Sequence, residues 1–315
     1  MTKRTKVAEM SPSDVAGTGA AVMESGADAQ ADPVTAEQQE PASDIIPGSG
    51  AVVILSGGQD STTCLFWAKQ RFETIHCITF NYGQRHEMEI RSAVRVANLA
   101  GVPISRHELL ELPLKVLRGT SPLLQHQTKV SHYASAADLP GGVEPTFVPA
   151  RNLLFLTLAA NRAVVLGVQN IVLGVCQEDF GGYPDCRQDF IDKMQMAINA
   201  GIFGQDLDAD DIVDDRTSPL IEIHTPLMDL TKAESVQLAK SLGDGCWNAL
   251  AFSHTCYEGK YPPSPHNHAS LLRAKGFRDA GYADPLIQRA KRENALPSDY
   301  PDDGLVEGTK YALKA

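Results

Sequence analysis

Large apolar residues are sparse over the first 48 positions, which are rich in Ala, Asp, Glu, Gln, Pro and Ser; beyond them they arrive in bursts. The first burst, "AVVIL" (Ala51–Leu55), is continuous rather than alternating, the pattern of a strand buried on both faces of a parallel sheet. "STTCLFWAKQRF" follows with apolar residues at helical spacing, then "TIHCITFNYG" as a second strand and "HEMEIRSAVRVANLAG" as a helix closed by Gly101. "PISRHELLEL" reads as a third strand, "RNLLFLTLAANRAVVLG" as a helix and "NIVLGV" as another buried strand. "CRQDFIDKMQMAINAGI" is again helical and "IEIHTPL" strand-like. In "TKAESVQLAKSLG", Thr231 stands at the N-cap with Glu234 three residues on, a capping box. This alternation predicts an α/β fold with a doubly wound, mostly parallel, Rossmann-like sheet. Three regions are expected: a disordered extension over 1–48, the α/β domain over 49–235, and a helical region over 236–315. The polar, proline-containing chain past Phe277 is expected to wrap the surface.

Composition narrows the function classes. The 315 residues carry a net charge of -11, which argues against broad contact with a nucleic-acid backbone. The six cysteines are scattered, as free thiols of a reducing compartment would be. The basic start lacks an apolar stretch, and no apolar run is long enough to cross a bilayer, so a cytoplasmic protein without a membrane partner is expected. The acidic "DLDADDIVDD" lacks the central glycine and final glutamate of an EF-hand and reads as a solvated loop.

The chemistry starts at "LSGGQDST": Leu55, Ser56, Gly57, Gly58, Gln59, Asp60, Ser61 and Thr62. It lies where the first buried strand hands over to a helix, the place at which open α/β sheets bind ligands. The two glycines let backbone amides approach an anion, the helix N-terminus adds partial positive charge, and Ser56, Ser61 and Thr62 offer hydroxyls. Asp60 suits a Mg2+ ion or orients the loop. No lysine follows the glycines, so this is not a Walker A motif. S-G-G-x-D-S after a first strand resembles the pyrophosphate-loop ATP pyrophosphatases. The resemblance implies an adenine-nucleotide alpha-hydrolase-like fold and cleavage of ATP between its α and β phosphates, with AMP transferred to an acceptor oxygen.

Four stretches narrow the substrate. "FNYGQRHEME" presents Tyr82, Gln84, Arg85 and His86 after the second strand, and "TFVPARNLLFL" brings Arg151 to a helix start. "LGVCQEDFGGYPDCRQDF" places Asp179, Tyr183, Asp185 and Arg187 after a later strand, and "HTPLMDLTKAE" places Lys232 at a helix N-terminus. All would converge on one sheet edge. With the phosphate loop they resemble the 7-cyano-7-deazaguanine synthases over roughly residues 50–280. The resemblance implies 7-carboxy-7-deazaguanine and ammonia as substrates, ATP and Mg2+ as cofactors, and a homodimer. On this reading Asp60, Arg151 and Lys232 serve the phosphoryl chemistry. Asp179 and Asp185 accept hydrogen bonds from the base and Tyr183 stacks on it, so exchanging Asp185 for Asn is expected to raise the substrate KM. Two other readings stay open: a related adenylating enzyme that stops at an amide, and a non-catalytic nucleotide-binding relic.

The family also implies a zinc-binding cysteine cluster near the C-terminus. Cys256 matches its first member, but Ser264, Asn267 and Ser270 stand where the other three belong. Serine and asparagine are poor zinc ligands beside thiolate, so one thiol is not expected to hold structural zinc. Two outcomes are open: a knuckle held without metal by packing and hydrogen bonds, or a replacement site built from His254, Cys256, His266 and His268.

Overall fold

Among the described residues five strands carry the apolar bursts: β1 (Ile46–Ile54), β2 (Phe72–Asn81), β3 (His107–Glu111), β4 (Asn170–Val172) and β5 (Glu222–His224). The computed structural model describes residues 45–84, 87–113, 116–117, 121–124, 130–139, 143, 145–177, 182–204, 220–256 and 258–312. The strands hydrogen-bond in the order β3-β2-β1-β4-β5, and every neighbouring pair is parallel. Parallel neighbours need crossovers, and α1 (Gln59–Lys69), α2 (Glu87–Leu99), α3 (Arg151–Leu166) and α4 (Gln188–Phe203) lie within them. Among the described residues α5 (Lys232–Ser241), α6 (Asp244–Leu250), α7 (His268–Ala280) and α8 (Pro285–Arg292) follow.

The continuous run in β1 is explained by two cores. Ala51, Val53 and Leu55 face one core with Leu65 of α1, Val96 of α2, Val236 of α5 and Phe277 of α7. Val52 and Ile54 face the other, with Phe155 and Leu156 of α3 and Ile191 of α4. Alternate side chains leave opposite faces of a strand, and both faces are covered, so no position in the run can be polar. The doubly wound expectation is therefore met, and α5 to α7 extend the core of the first face.

Strand order reverses between β1 and β4, so the C-terminal ends of these two strands open a crevice. Gly174, just past β4, closes on the start of α1: a Cβ there would lie 3.0 Å from the backbone of Asp60 and Ser61.

The structure departs from expectation at three places. The "PIS" of the third segment is not strand; Ile104–Arg106 forms a single 3-10 turn after Pro103, and Ile104 is 86% exposed. Within the expected helical region a short helix, α6, forms over a stretch to which no separate helix is assigned in advance. The chain past Phe277 does more than wrap the surface. Asp284 caps α8, accepting from the Leu286 amide at 2.8 Å, and Leu286, Ile287, Tyr300 and Val306 are buried. Its anchor is the buried pair Arg273–Asp284 at 2.6 Å. The acidic segment near 206–215 lies outside the described residues. Among the described residues no helix is long and apolar enough to cross a membrane.

Candidate active site

Between β1 and α1 the chain turns through Leu55–Gly58. Gly57 has φ 85°, and a Cβ on it would sit 2.4 Å from the Glu89 carbonyl oxygen and 2.5 Å from the Ala93 nitrogen. Backbone conformation and the α2 backbone both exclude a side chain there. Gly58 is different: its φ is -77°, and a Cβ would meet nothing closer than Ser56 Oγ at 3.4 Å. Only one of the two glycines is sterically required for the turn. Ser56 Oγ lies 3.0 Å from Ser61 Oγ and accepts from the Gly58 amide at 3.2 Å. The Ser61 and Thr62 hydroxyls donate back to the Gly58 carbonyl at 3.2 and 2.7 Å. Thr62 thus braces the turn and, like Gly57, stays off the cavity wall, whereas Leu55, Ser56, Gly58, Gln59, Asp60 and Ser61 line it. The Gly57 carbonyl accepts from the His254 amide at 2.8 Å, tying the loop to the chain before α7.

These residues form one end of a cavity of about 260 Å³. Lys232, the first residue of α5, reaches across to donate from Nζ to Asp60 Oδ2 at 3.0 Å. Its placement is built from both sides. The Thr231–Glu234 capping box forms as predicted and starts the helix. Gly276 of α7 packs so tightly that a Cβ would lie 3.0 Å from Lys232 Cβ.

The other end belongs to Arg151, the first residue of α3, set by Ala150 in the left-handed region at φ 62°. The Arg151 guanidinium hydrogen-bonds Tyr82, whose hydroxyl is pushed up by burial against the pull of that charge. Glu89 shares the same environment: burial pushes its carboxyl up to about 7, with the Arg151 charge opposing. Flat rings line the space between the two ends. Phe80 stacks on Phe155 at 4.1 Å and 10°, and Tyr82 tilts against Phe155 at 5.4 Å. Tyr183 is fixed by a 2.6 Å hydrogen bond between its hydroxyl and Thr146 Oγ1 and by Phe147 at 5.4 Å.

Asp60, Tyr82, Gln84, Arg151, Tyr183 and Lys232 therefore converge on one cavity. Gln84 also holds its own turn, donating to the Phe80 carbonyl at 3.0 Å and accepting from the Tyr82 amide at 2.9 Å. Asp185 and Arg187 do not reach the wall. The Asp185 side chain is 5% exposed and turned towards Cys186, with burial raising its carboxyl despite Arg151. Arg187 donates to the Gln177 carbonyl at 2.7 Å. Arg85, His86 and Asp179 lie outside the described residues. Glu89 escaped the sequence reading although a signal was present. It falls on the stripe of Ala93, Val96, Ala97 and Ala100, the buried face of α2, where an acid is out of place.

The loop before α7 gathers Cys256, Ser264, Asn267 and Ser270 as the family pattern implies, but with a different glue. The Asn267 amide nitrogen donates to Cys256 Sγ at 3.2 Å and to the Ser264 carbonyl at 3.2 Å, and its oxygen caps α7 by accepting from the Ser270 amide at 3.0 Å. The Ser264 amide also donates to Cys256 Sγ, at 3.4 Å. One sulfur already accepting two hydrogen bonds, beside two serines and a carboxamide, does not fit zinc. The replacement set does not assemble: among the described residues no three His, Cys, Asp or Glu are placed to hold an ion. His254 and His268 turn to the cavity wall, and His266 lies beside His132 at 6.3 Å.

The family model of the queuosine biosynthesis protein QueC matches residues 50–281. The 7-cyano-7-deazaguanine synthase of Gloeobacter violaceus is 50% identical over 248 residues, covering 78% of this chain and 99% of the relative. Those of Laribacter hongkongensis and Chromobacterium violaceum are each 43% identical, covering 76% and 77% of this chain and 94% and 95% of the relatives. The phosphate-loop cavity and the loop before α7 both fall inside the matched span, and the chain belongs to the QueC family of queuosine biosynthesis proteins.

Proposed function

We propose that this protein makes 7-cyano-7-deazaguanine from 7-carboxy-7-deazaguanine, ammonia and ATP. The observation that carries the reading is the meeting of Lys232 and Asp60 at the phosphate loop, with Arg151 and a wall of flat rings in the same cavity. An aromatic carboxylate is inert to ammonia. Attack of its oxygen on the α phosphorus of ATP expels pyrophosphate and gives an acyl adenylate. Ammonia then adds to the carbonyl carbon, the bond to AMP breaks, and the amide forms. A second adenylation, on the amide oxygen, makes that oxygen a leaving group, and its loss with the remaining N–H protons leaves the nitrile.

The phosphate end has the parts for this. Backbone amides of the turn and the Ser56 and Ser61 hydroxyls face the phosphates, and Lys232 and Arg151 offset charge gathering on the phosphorus oxygens. Asp60 is the carboxylate that would hold Mg2+, which screens phosphate charge when bound; one carboxylate plus substrate phosphates is a usual Mg2+ site. Tyr183, Phe80 and Phe155 offer faces for the flat base. Asp185, buried away from the wall, is better read as shaping that end than as touching the base. The loop before α7 is read as metal-independent, because Asn267 already ties together the positions that a zinc ion would join.

Purified protein given the acid, ATP, Mg2+ and an ammonium salt is expected to yield the nitrile, AMP and pyrophosphate, followed by liquid chromatography with mass spectrometry. Accumulation of amide alone would favour an enzyme that stops one step earlier. No ATP consumption by folded protein would leave a relic.

A further inference from the structure

The proposed reaction has a proton problem that the phosphate loop does not solve. Ammonia brings three N–H protons and the nitrile keeps none. One leaves when nitrogen displaces AMP from the acyl adenylate, and two more leave between amide and nitrile. The first adenylation, by contrast, releases no proton, since the acid reacts as its carboxylate. The cavity therefore needs a proton acceptor near the substrate nitrogen, away from the phosphates.

Among the described residues two carboxylates line the cavity, Asp60 and Glu89. Asp60 is engaged by Lys232 at 3.0 Å. Glu89 stands at the start of α2, whose backbone is pressed against Gly57 of the phosphate loop. The groups that face it are Arg151 of α3 and Tyr82 beyond β2, which hydrogen-bond each other. The remaining ionisable groups of the wall are Lys232, Tyr183 and Cys186, with His254, His268 and Arg273 from the chain before α7 and from α7 itself. We propose that Glu89 is the base that takes the nitrogen protons in the amide-forming and nitrile-forming steps, resting on the functional reading above. In amide formation the ammonia lone pair makes the C–N bond, the C–O bond to AMP breaks, and the electrons of one N–H bond stay on nitrogen as its proton passes to a Glu89 carboxylate oxygen. Between amide and nitrile one N–H proton leaves as the amide oxygen takes AMP and the second as the C–O bond to AMP breaks, their electrons completing the C–N triple bond, and Glu89 passes each proton on to water before taking the next. Arg151 keeps that oxygen anionic enough to accept, while burial keeps its proton affinity near neutrality.

The test separates the steps. Pyrophosphate exchange into ATP, driven by 7-carboxy-7-deazaguanine, reports the first adenylation. Conversion of supplied amide and ATP to nitrile reports the proton-releasing end without titrating ammonium. Glu89→Gln is expected to keep the exchange within about threefold of wild type and to lose nitrile formation by roughly 100-fold, the scale of general-base catalysis. Wild-type nitrile formation should rise with pH through a limb near 7, and Glu89→Gln should lack that limb. Glu89→Asp, which keeps a carboxylate, should regain part of the rate and the limb, and decides the matter should the Gln variant not fold. Equal loss of both reactions in Glu89→Gln, a limb that survives without a carboxylate, or no recovery in Glu89→Asp would overturn the proposal. A wild type that exchanges no pyrophosphate with the acid would fail the functional reading itself, and the inference with it.

Discussion

The phosphate loop and the loop before α7 hold sharp backbone turns by opposite means. At the phosphate loop shape is imposed sterically: Gly57 has no room for a Cβ, and Gly174 and Gly276 bring β4 and α7 against the start of α1 and Lys232. The charged groups are then left to point inward. In the loop before α7 one buried carboxamide does the tying, with Asn267 bonded to Cys256, Ser264 and Ser270. Where a residue's job is chemical, its type is hard to replace. Where the job is to join two strands of chain, several chemistries serve, and a neutral hydrogen-bonded hub stands at positions where the family resemblance implies thiolates.

That contrast breaks most easily at Lys232. Lys232→Ala removes the ammonium that meets Asp60 at the loop and leaves a partly exposed Asp60 that water can solvate. Nitrile formation is expected to fall about 100- to 1000-fold, the usual cost of losing one group that stabilises transition-state charge. The thermal midpoint should move by no more than a few degrees. Unchanged turnover would mean that the loop region is no more chemical than the other. Gly57→Ala probes the steric half. A positive φ costs about 1–2 kcal/mol for a residue with a Cβ, and the clash with α2 adds to it, so a loss of about 3 kcal/mol in chemical denaturation is expected. Gly58→Ala, with no contact under 3.4 Å, should lose less than about 1 kcal/mol. Equal losses at the two glycines would show that the turn is shaped by something other than the packing of α2.

How far the sequence could be read follows the same division. "AVVIL" declared β1 because both faces of that strand are buried, and the Thr231–Glu234 box declared α5 because its bonds are local. The phosphate loop was legible because its glycine and hydroxyl residues are contiguous. Glu89 was not singled out, because its meaning comes from Arg151, 62 positions away (151 minus 89) and on a different helix. The burial of Asp185, the contact of Arg187 with a carbonyl and the core role of α8 are likewise tertiary. Local patterns showed which residues follow strands, but not which of them turn inward.

The smallest effects test the loop before α7. Asn267→Ala deletes an N-cap and two donors around a fully buried position. A cap is worth about 1 kcal/mol and a buried bond about as much again, so a loss of about 2 kcal/mol is expected, or roughly 4–8 °C in a thermal melt. Asn267→Asp keeps the oxygen that caps α7 but not the donors to Cys256 and Ser264, and should fall between wild type and Ala. Chelator treatment of the wild-type protein should move the melt by less than about 1 °C, because the bonds that tie the loop come from the chain itself. A chelator shift as large as that of Asn267→Ala would mean that a metal shares the work at Cys256. The two regions would then differ in residue type alone.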